Sequence, residues 1–215
     1  VRASTSTLKP CLVSAGEDTY FMKKHRVVIA AFIACGLFLV SLPLPYWTVI
    51  MKAPTYPERD LSMRVYPTYY EGDIREWNVV GNLVGVKVPP PIPDVAFVIV
   101  PALITLLALL SLVAGFNRGW LKTAMIAPWV VLAGLTAFTQ YSLYIFGHDL
   151  APDRPLRYVE PFTPPVIGVK KIGTMLTYHL PHVGSFVYMG AALLLVWAYW
   201  QHNNEVNREE ASDAA

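Results

Sequence analysis

Charge and cysteine are the scarcest features of this sequence. Only 15% of its 215 residues are Asp, Glu, Lys or Arg, against roughly a quarter in soluble domains, and the net charge is +2. No block of six or more basic residues occurs, which sets aside a nucleic-acid partner. There are two cysteines: Cys11 in a polar leader and Cys35 in the middle of an apolar run. A disulfide between them would have to join a tail to a bilayer interior, and two thiols are too few for Cys-based zinc or iron–sulfur sites. Histidine, methionine and carboxylates remain as metal ligands.

Soluble-enzyme signatures are missing as well. The chain has no Walker loop, Gly-x-Ser-x-Gly elbow, His-Glu-x-x-His pair or dinucleotide fingerprint. What it does have is apolar surface, at 54% hydrophobic residues and a mean hydropathy of +0.42. The composition is that of an integral membrane protein.

Four apolar runs are long enough to cross a hydrocarbon core of about 30 Å, which takes roughly 20 helical residues. They cover about 27–50, 96–115, 123–146 and 183–200. The expected class is therefore an all-α membrane protein with four transmembrane helices and two structured periplasmic loops, the first containing a short β-hairpin. The boundaries are a flexible leader at 1–22, spans at 23–50, 96–115, 123–146 and 183–200, outer loops at 51–95 and 147–182, a link at 116–122 and a tail at 201–215. Met22-Lys23-Lys24-His25-Arg26 resembles a signal-peptide start, but no small-x-small cleavage site follows, so the first run reads as a retained anchor. Either Val1 or Met22 fits as the start of the chain.

Lys23, Lys24 and Arg26 before the first span, with Arg118 and Lys122 in the tight link, put both termini in the cytoplasm by the positive-inside rule. Asp, Glu, Lys and Arg are absent from the span centres, which disfavours a pump or secondary transporter. A channel would have only Gln140, Thr136 and Thr139 to work with in the third span. Tyr46, Trp47, Tyr141, Tyr144, Trp197, Tyr199 and Trp200 fall near span ends and read as an interfacial belt in preference to a quinone or haem box.

In the first outer loop, Leu61, Met63 and Val65 alternate with Ser62, Arg64 and Tyr66, the period of a half-buried strand. Glu71-Gly72-Asp73 has turn chemistry, and a second short strand is expected at Asn78–Val80. The loop ends in a stiff proline run, residues 89–93, leading to the second span. "VGVKVPPPIP" at 84–93 and "TPPVIGVKK" at 163–171 share Gly-Val-Lys and a proline cluster, which raises the question of a weak duplication.

Two constellations are open to a chemical reading. Met175, His179 and His182 stand at i, i+4 and i+7, one face of a helix, and imidazole with thioether suits copper. The simpler reading, which Pro181 favours, is an amphipathic segment leading into the last span. His148 sits in "FGHDLAPDRP" beside Asp149 and near Asp153, where it is either a metal ligand or part of a helix cap with Gly147 as the left-handed residue.

"SLPLPYW…APTYPE…EGDIREWNVVGNLVGVK" and "GHDLAPDRPL…PFTPPVIGVKKI" together resemble a little-characterised family of bacterial four-span inner-membrane proteins. That family is associated with gene neighbourhoods for nitrous oxide reductase maturation, copper handling and respiratory oxidases. The resemblance covers most of residues 41–185. It implies the bacterial inner membrane and a copper role that would rely on His148. The family's first loop offers a histidine and a methionine where this chain has Asn82 and Val86, which weakens the copper role, while Gly85 and Lys87 are kept. The function expected from this is a non-enzymatic membrane subunit or assembly factor of a copper-dependent or respiratory complex. The alternative is a membrane protein that binds or delivers copper through His148, His179, His182 and Met175. Its partners would be the lipid bilayer and other subunits, and a rigid Pro- and Tyr-rich outer surface would contact them through Tyr66, Tyr69, Tyr70, Trp77 and Phe162.

Overall fold

The computed structural model describes residues 10–54, 56–86, 94–153, 155–156 and 160–213. Its elements run α1 (Pro10–Ser41), β1 (Trp47–Lys52), β2 (Leu61–Val65), β3 (Tyr70–Gly72), α2 (Ile74–Val84), α3 (Ala96–Phe116), α4 (Leu121–His148), β4 (Gly168–Ile172), β5 (Met175–Pro181) and α5 (Val183–Asp213). Three helical stretches are long and apolar enough to cross a membrane: Ala96–Phe116, Arg118–His148 and Val183–Arg208. The apolar part of α1, Arg26–Ser41, is shorter.

α1 packs along α3 and α5, and α4 closes the group against α3 and α5. One core gathers Phe38, Ile104, Leu107, Tyr188 and Leu195 around Ala34, Ala108 and Ala191. A second, towards the end that carries Arg118, gathers Val27 and Leu121 around Ala30, Ala114, Ala124 and Ala198. Small residues at the contacts let helix backbones approach where lipid supplies no hydrophobic drive. The buried hydroxyls of Ser41 and Ser111 donate to Phe38 and Ala108 carbonyls at 2.7 Å, so neither is left unpaired. Arg118 ties the α3–α4 link to α5, 3.3 Å from Glu205 and 3.0 Å from His202.

At the opposite end the two loops form one antiparallel sheet of five strands in the order β3-β2-β1-β5-β4. This corrects the all-α expectation. The hairpin anticipated in the first loop is one part of a sheet whose central pair, β1 and β5, comes from segments flanking different helices. The first run was expected to stay helical to residue 50. It leaves the helix at Ser41, because Pro43 and Pro45 lack N–H donors and disfavour helical geometry in the residue before them. The rest of the run, Trp47–Lys52, extends as β1. At its other end α1 begins at Pro10, inside the stretch read as an irregular leader.

β2 forms where the alternation placed it, with Leu61 and Met63 inward. The strand expected at Asn78–Val80 is instead part of α2. Trp77, Val80, Gly81 and Val84 are its buried positions, a spacing of three and four that outweighs the short apolar run. The Asp73 carboxylate accepts the Ser62 N–H at 2.9 Å and pairs with Arg59, which holds the start of α2 against β2. Gly85 ends α2 at φ 87°, a left-handed conformation that costs glycine little. Of the suspected duplication, Gly85-Val86 terminate a helix whereas Gly168 opens a strand, and the rest of the first copy, 87–93, lies outside the described residues. The proline run at 89–93 lies outside the described residues.

One face of the sheet is covered by α2 and the second loop. Val49, Met51, Leu61, Met63, Trp77, Val80, Val84, Phe162 and Met175 form this core. The loops are also tied through backbone, with Ala151 N–H donating to Gly85 O at 2.9 Å and Leu156 N–H to Leu83 O at 3.0 Å. Gly147 lies within α4 and is not left-handed, which corrects its reading as a helix-ending cap. It is glycine because a Cβ there would overlap the Phe162 carbonyl.

Two glycines therefore act as contact points. A Cβ at Gly184 would come within 2.8 Å of the Pro45 carbonyl and 3.0 Å of the Leu44 carbonyl, both backbone atoms that cannot swing away, whereas one at Gly36 meets nothing within 4 Å. Gly147→Ala and Gly184→Ala are expected to destabilise by about 1–3 kcal/mol each. Thermal melts of the detergent-purified protein should fall by several degrees for both and stay level or rise for Gly36→Ala. Equal melting of all three would contradict these contacts.

Candidate functional site

The four residues with soft-metal chemistry are not brought together. Met175 and His179 lie on β5, a strand and not a helix, and both face inward. Four residues of strand separate their Cα atoms by roughly 13 Å. His182, an odd number of residues from Met175, leaves the strand at the head of α5, where its Nδ1 accepts the Val183 N–H at 2.8 Å. Its carbonyl accepts the Ser185 N–H at 3.0 Å. His182 is thus the cap of α5. His148 is exposed on the last turn of α4, stacked on Tyr144 with centroids 4.0 Å apart, and its Nδ1 donates to the Tyr144 carbonyl at 2.9 Å. No group of three or more His, Cys, Asp or Glu among the described residues is arranged to hold a metal ion. Met175, His179, His182 and His148 as placed do not fit one copper ion, whose ligands must meet within roughly 2.0–2.5 Å of a single point.

The candidate contact residues divide in two. Trp77 and Phe162, 7% and 8% exposed, belong to the core beneath the sheet and are unavailable to a partner. Sequence alone gave them aromatic character, and α2 and the second loop turned that character inward. Tyr66 and Tyr69 stay outside, stacked with centroids 4.4 Å apart, and Tyr66 donates to Glu71 at 2.7 Å. Tyr70 is half-buried against Phe97, at 5.3 Å between ring centroids.

Two features of the sheet domain did not emerge from the sequence. The first is the free edge of β4. Among the described residues this strand pairs only with β5, and its outer face exposes Val169 at 53% next to Ile167 at 64%. Leu180 on β5 adds to the same apolar face.

The second is a cavity of about 210 Å³ where the sheet overhangs α3 and α4. Val49, Met63 and His179, which lie side by side in register across three strands, form part of its roof with Tyr70. Phe97, Val100 and Ile104 of α3 and Leu132, Leu135 and Phe138 of α4 form its walls. Among the described residues no Asp, Glu, Lys or Arg lines it. Most hydroxyls around it already donate elsewhere: Thr136, Thr139 and Ser142 to carbonyls of their own helix at 2.8–3.0 Å, Ser185 to Tyr46 O, and Tyr188 to Pro128 O. Two lining groups are different. The Tyr70 hydroxyl is buried without a partner, and the His179 imidazole, only 5% exposed, makes no hydrogen bond among the described residues. The alternation Met175, Thr177, His179 was the sequence signal for this inward histidine.

Comparison with protein-family models and with curated proteins finds no match for the chain.

Burial holds the His179 imidazole down at about 4, against its ordinary 6.5. Because the folded form resists a proton that the unfolded form accepts, this stabilisation is complete above pH 6.5 and is lost as pH falls towards 4. The loss is at most about 3 kcal/mol. Melting temperatures measured between pH 7.5 and 4 should fall more steeply for the wild type than for His179→Gln. Parallel curves would mean that the imidazole is not held neutral.

Proposed function

We propose that the chain is a non-enzymatic subunit or assembly factor of a membrane complex, and that its outer sheet is the surface presented to the partner. The observation that carries this reading is the free β4 edge with Ile167 and Val169 exposed beside it. An edge strand with unpaired backbone groups can take a strand from another chain, and apolar side chains next to it add burial. Lys170 and Lys171 on the same strand favour an acidic partner segment.

In the same reading α1 is a fourth span. It runs beside α3 and α5 as a full member of the bundle, and its apolar part is extended outward by Leu42–Trp47, which ends in the interfacial rings Tyr46 and Trp47. Both termini are then cytoplasmic, with Lys23, Lys24, Arg26, Arg118 and Lys122 on the inner side of a bacterial inner membrane. The resemblance noted in the sequence is what favours a partner among copper-dependent or respiratory complexes. The copper-delivery alternative loses support, because His148, Met175, His179 and His182 do not meet.

The test is purification of the tagged chain from native membranes in mild detergent, with co-purifying proteins identified by mass spectrometry. A stoichiometric membrane partner is expected. The double variant Ile167→Asp, Val169→Asp should lose it while melting at the wild-type temperature. A monodisperse lone monomer from native membranes would overturn the proposal.

A further inference from the structure

We infer that the cavity between the sheet and α3–α4 is a binding site for a membrane lipid with an uncharged, oxygen-bearing head, such as a quinone ring or the glyceryl head of a diacylglycerol. Three features select that class. The lining is apolar and carries no ionised side chain among the described residues, so a phosphate head placed there would be desolvated without a countercharge from them. The two groups without partners are neutral hydrogen-bonding groups: the Tyr70 hydroxyl offers a donor, and a neutral imidazole at His179 offers one donor and one acceptor. Leaving such groups unpaired in an apolar site is costly, and carbonyl or hydroxyl oxygens of a ligand would satisfy them.

The route of entry fits a lipid as well. Thr136 and Phe138 on α4 line the cavity and are themselves exposed on the helix surface, so the cavity is bordered by residues at the level of the apolar spans. A head drawn in between α3 and α4 would leave its tail along the bundle. A cavity of about 210 Å³ holds a ring-sized head and not a whole lipid. Small-molecule sites have this general form, mostly apolar with a few placed polar groups. The inference stands apart from the partner reading, because it concerns the lone chain and none of the β4 residues.

The full chain, purified and delipidated in detergent, would be titrated with a short-chain benzoquinone, with dioctanoylglycerol and with short-chain phosphatidylglycerol. Thermal shift and tryptophan fluorescence would be read, Trp47 being a lining residue. Saturable binding of at least one neutral lipid is expected, weaker by about fivefold in Tyr70→Phe and in His179→Leu, as loss of one hydrogen bond predicts. Thr136→Trp, on an exposed position, should close the mouth and abolish binding without lowering the melting temperature. A response to the quinone alone, to diacylglycerol alone or to both decides which head is taken, and each supports the site. No saturable response to either neutral lipid, a stronger response to phosphatidylglycerol, or unchanged binding in Tyr70→Phe and Thr136→Trp would overturn it.

Discussion

The architecture depends on one crossing, where the chain leaving α1 meets the chain entering α5. Tyr46 O accepts the His182 N–H at 3.0 Å and the Ser185 hydroxyl at 2.6 Å, and Pro45 O accepts the Gly184 N–H at 2.8 Å. The Tyr46 hydroxyl reaches back to Ser41 at 2.7 Å, which binds the turn to the helix it has just left. These bonds fix two antiparallel helices and two antiparallel strands on a common line. The α1–α5 pair below continues as the β1–β5 pair above, so the outer sheet is held by the bundle and not merely tethered to it. A side chain at position 184 would push the two segments apart, and that is where bundle and sheet are joined.

The remaining order follows from that pair. β2 joins β1 through the first loop, β4 joins β5 through the second, and β3 extends the β2 side. α2 then covers the face turned towards the second loop, and Phe162 closes it from above Gly147. Each loop on its own would be a two- or three-stranded ribbon with one apolar face in water, which is marginal at best. Joined, they bury Met51, Leu61, Trp77 and Met175 in one core. The low charge of the chain is consistent with this economy: the ion pairs Lys52–Asp60 and Arg59–Asp73 lie on the sheet domain and Arg118–Glu205 at the far end of the bundle, whose helices meet between those ends through alanine contacts.

Much of the helical frame was legible because an apolar run of spanning length is a local signal, as Ala96–Phe116 shows. The sheet was not, since its central pairing joins Trp47–Lys52 to residues some 130 positions later and nothing local announces that. β1 was further disguised by hydropathy, which does not separate the end of a helix from a buried strand. The breaking signal was present in Pro43 and Pro45. The Met175–His179–His182 pattern misled for a related reason. A spacing of four keeps one face on a helix and on a strand alike, so Met175 and His179 share a side either way. A spacing of seven keeps the face only on a helix. Once the segment is a strand, His182 cannot join the other two, and the same alternation sends His179 inward, where no sequence feature marked a cavity.

That cavity follows from connectivity and is not a lapse in packing. β1 and β5 are anchored above α1 and α5, so β2 and β3 extend sideways over α3 and α4, with no strand running directly into either helix. A rigid sheet held along one line and laid over rounded helices cannot follow their surface on the overhanging side. A gap opens there, roofed by Met63, Val65 and Tyr70 and floored by Val100, Ile104 and Leu135. Natural cores close such gaps with large apolar side chains. Here the roof carries Tyr70 on β3 and His179 on β5, two polar groups whose burial without partners among the described residues costs stability that leucine or phenylalanine would not. A sequence that keeps charge from the centres of its spans, yet places both of these groups over a large void beneath its sheet, has the chemistry of a site that receives something.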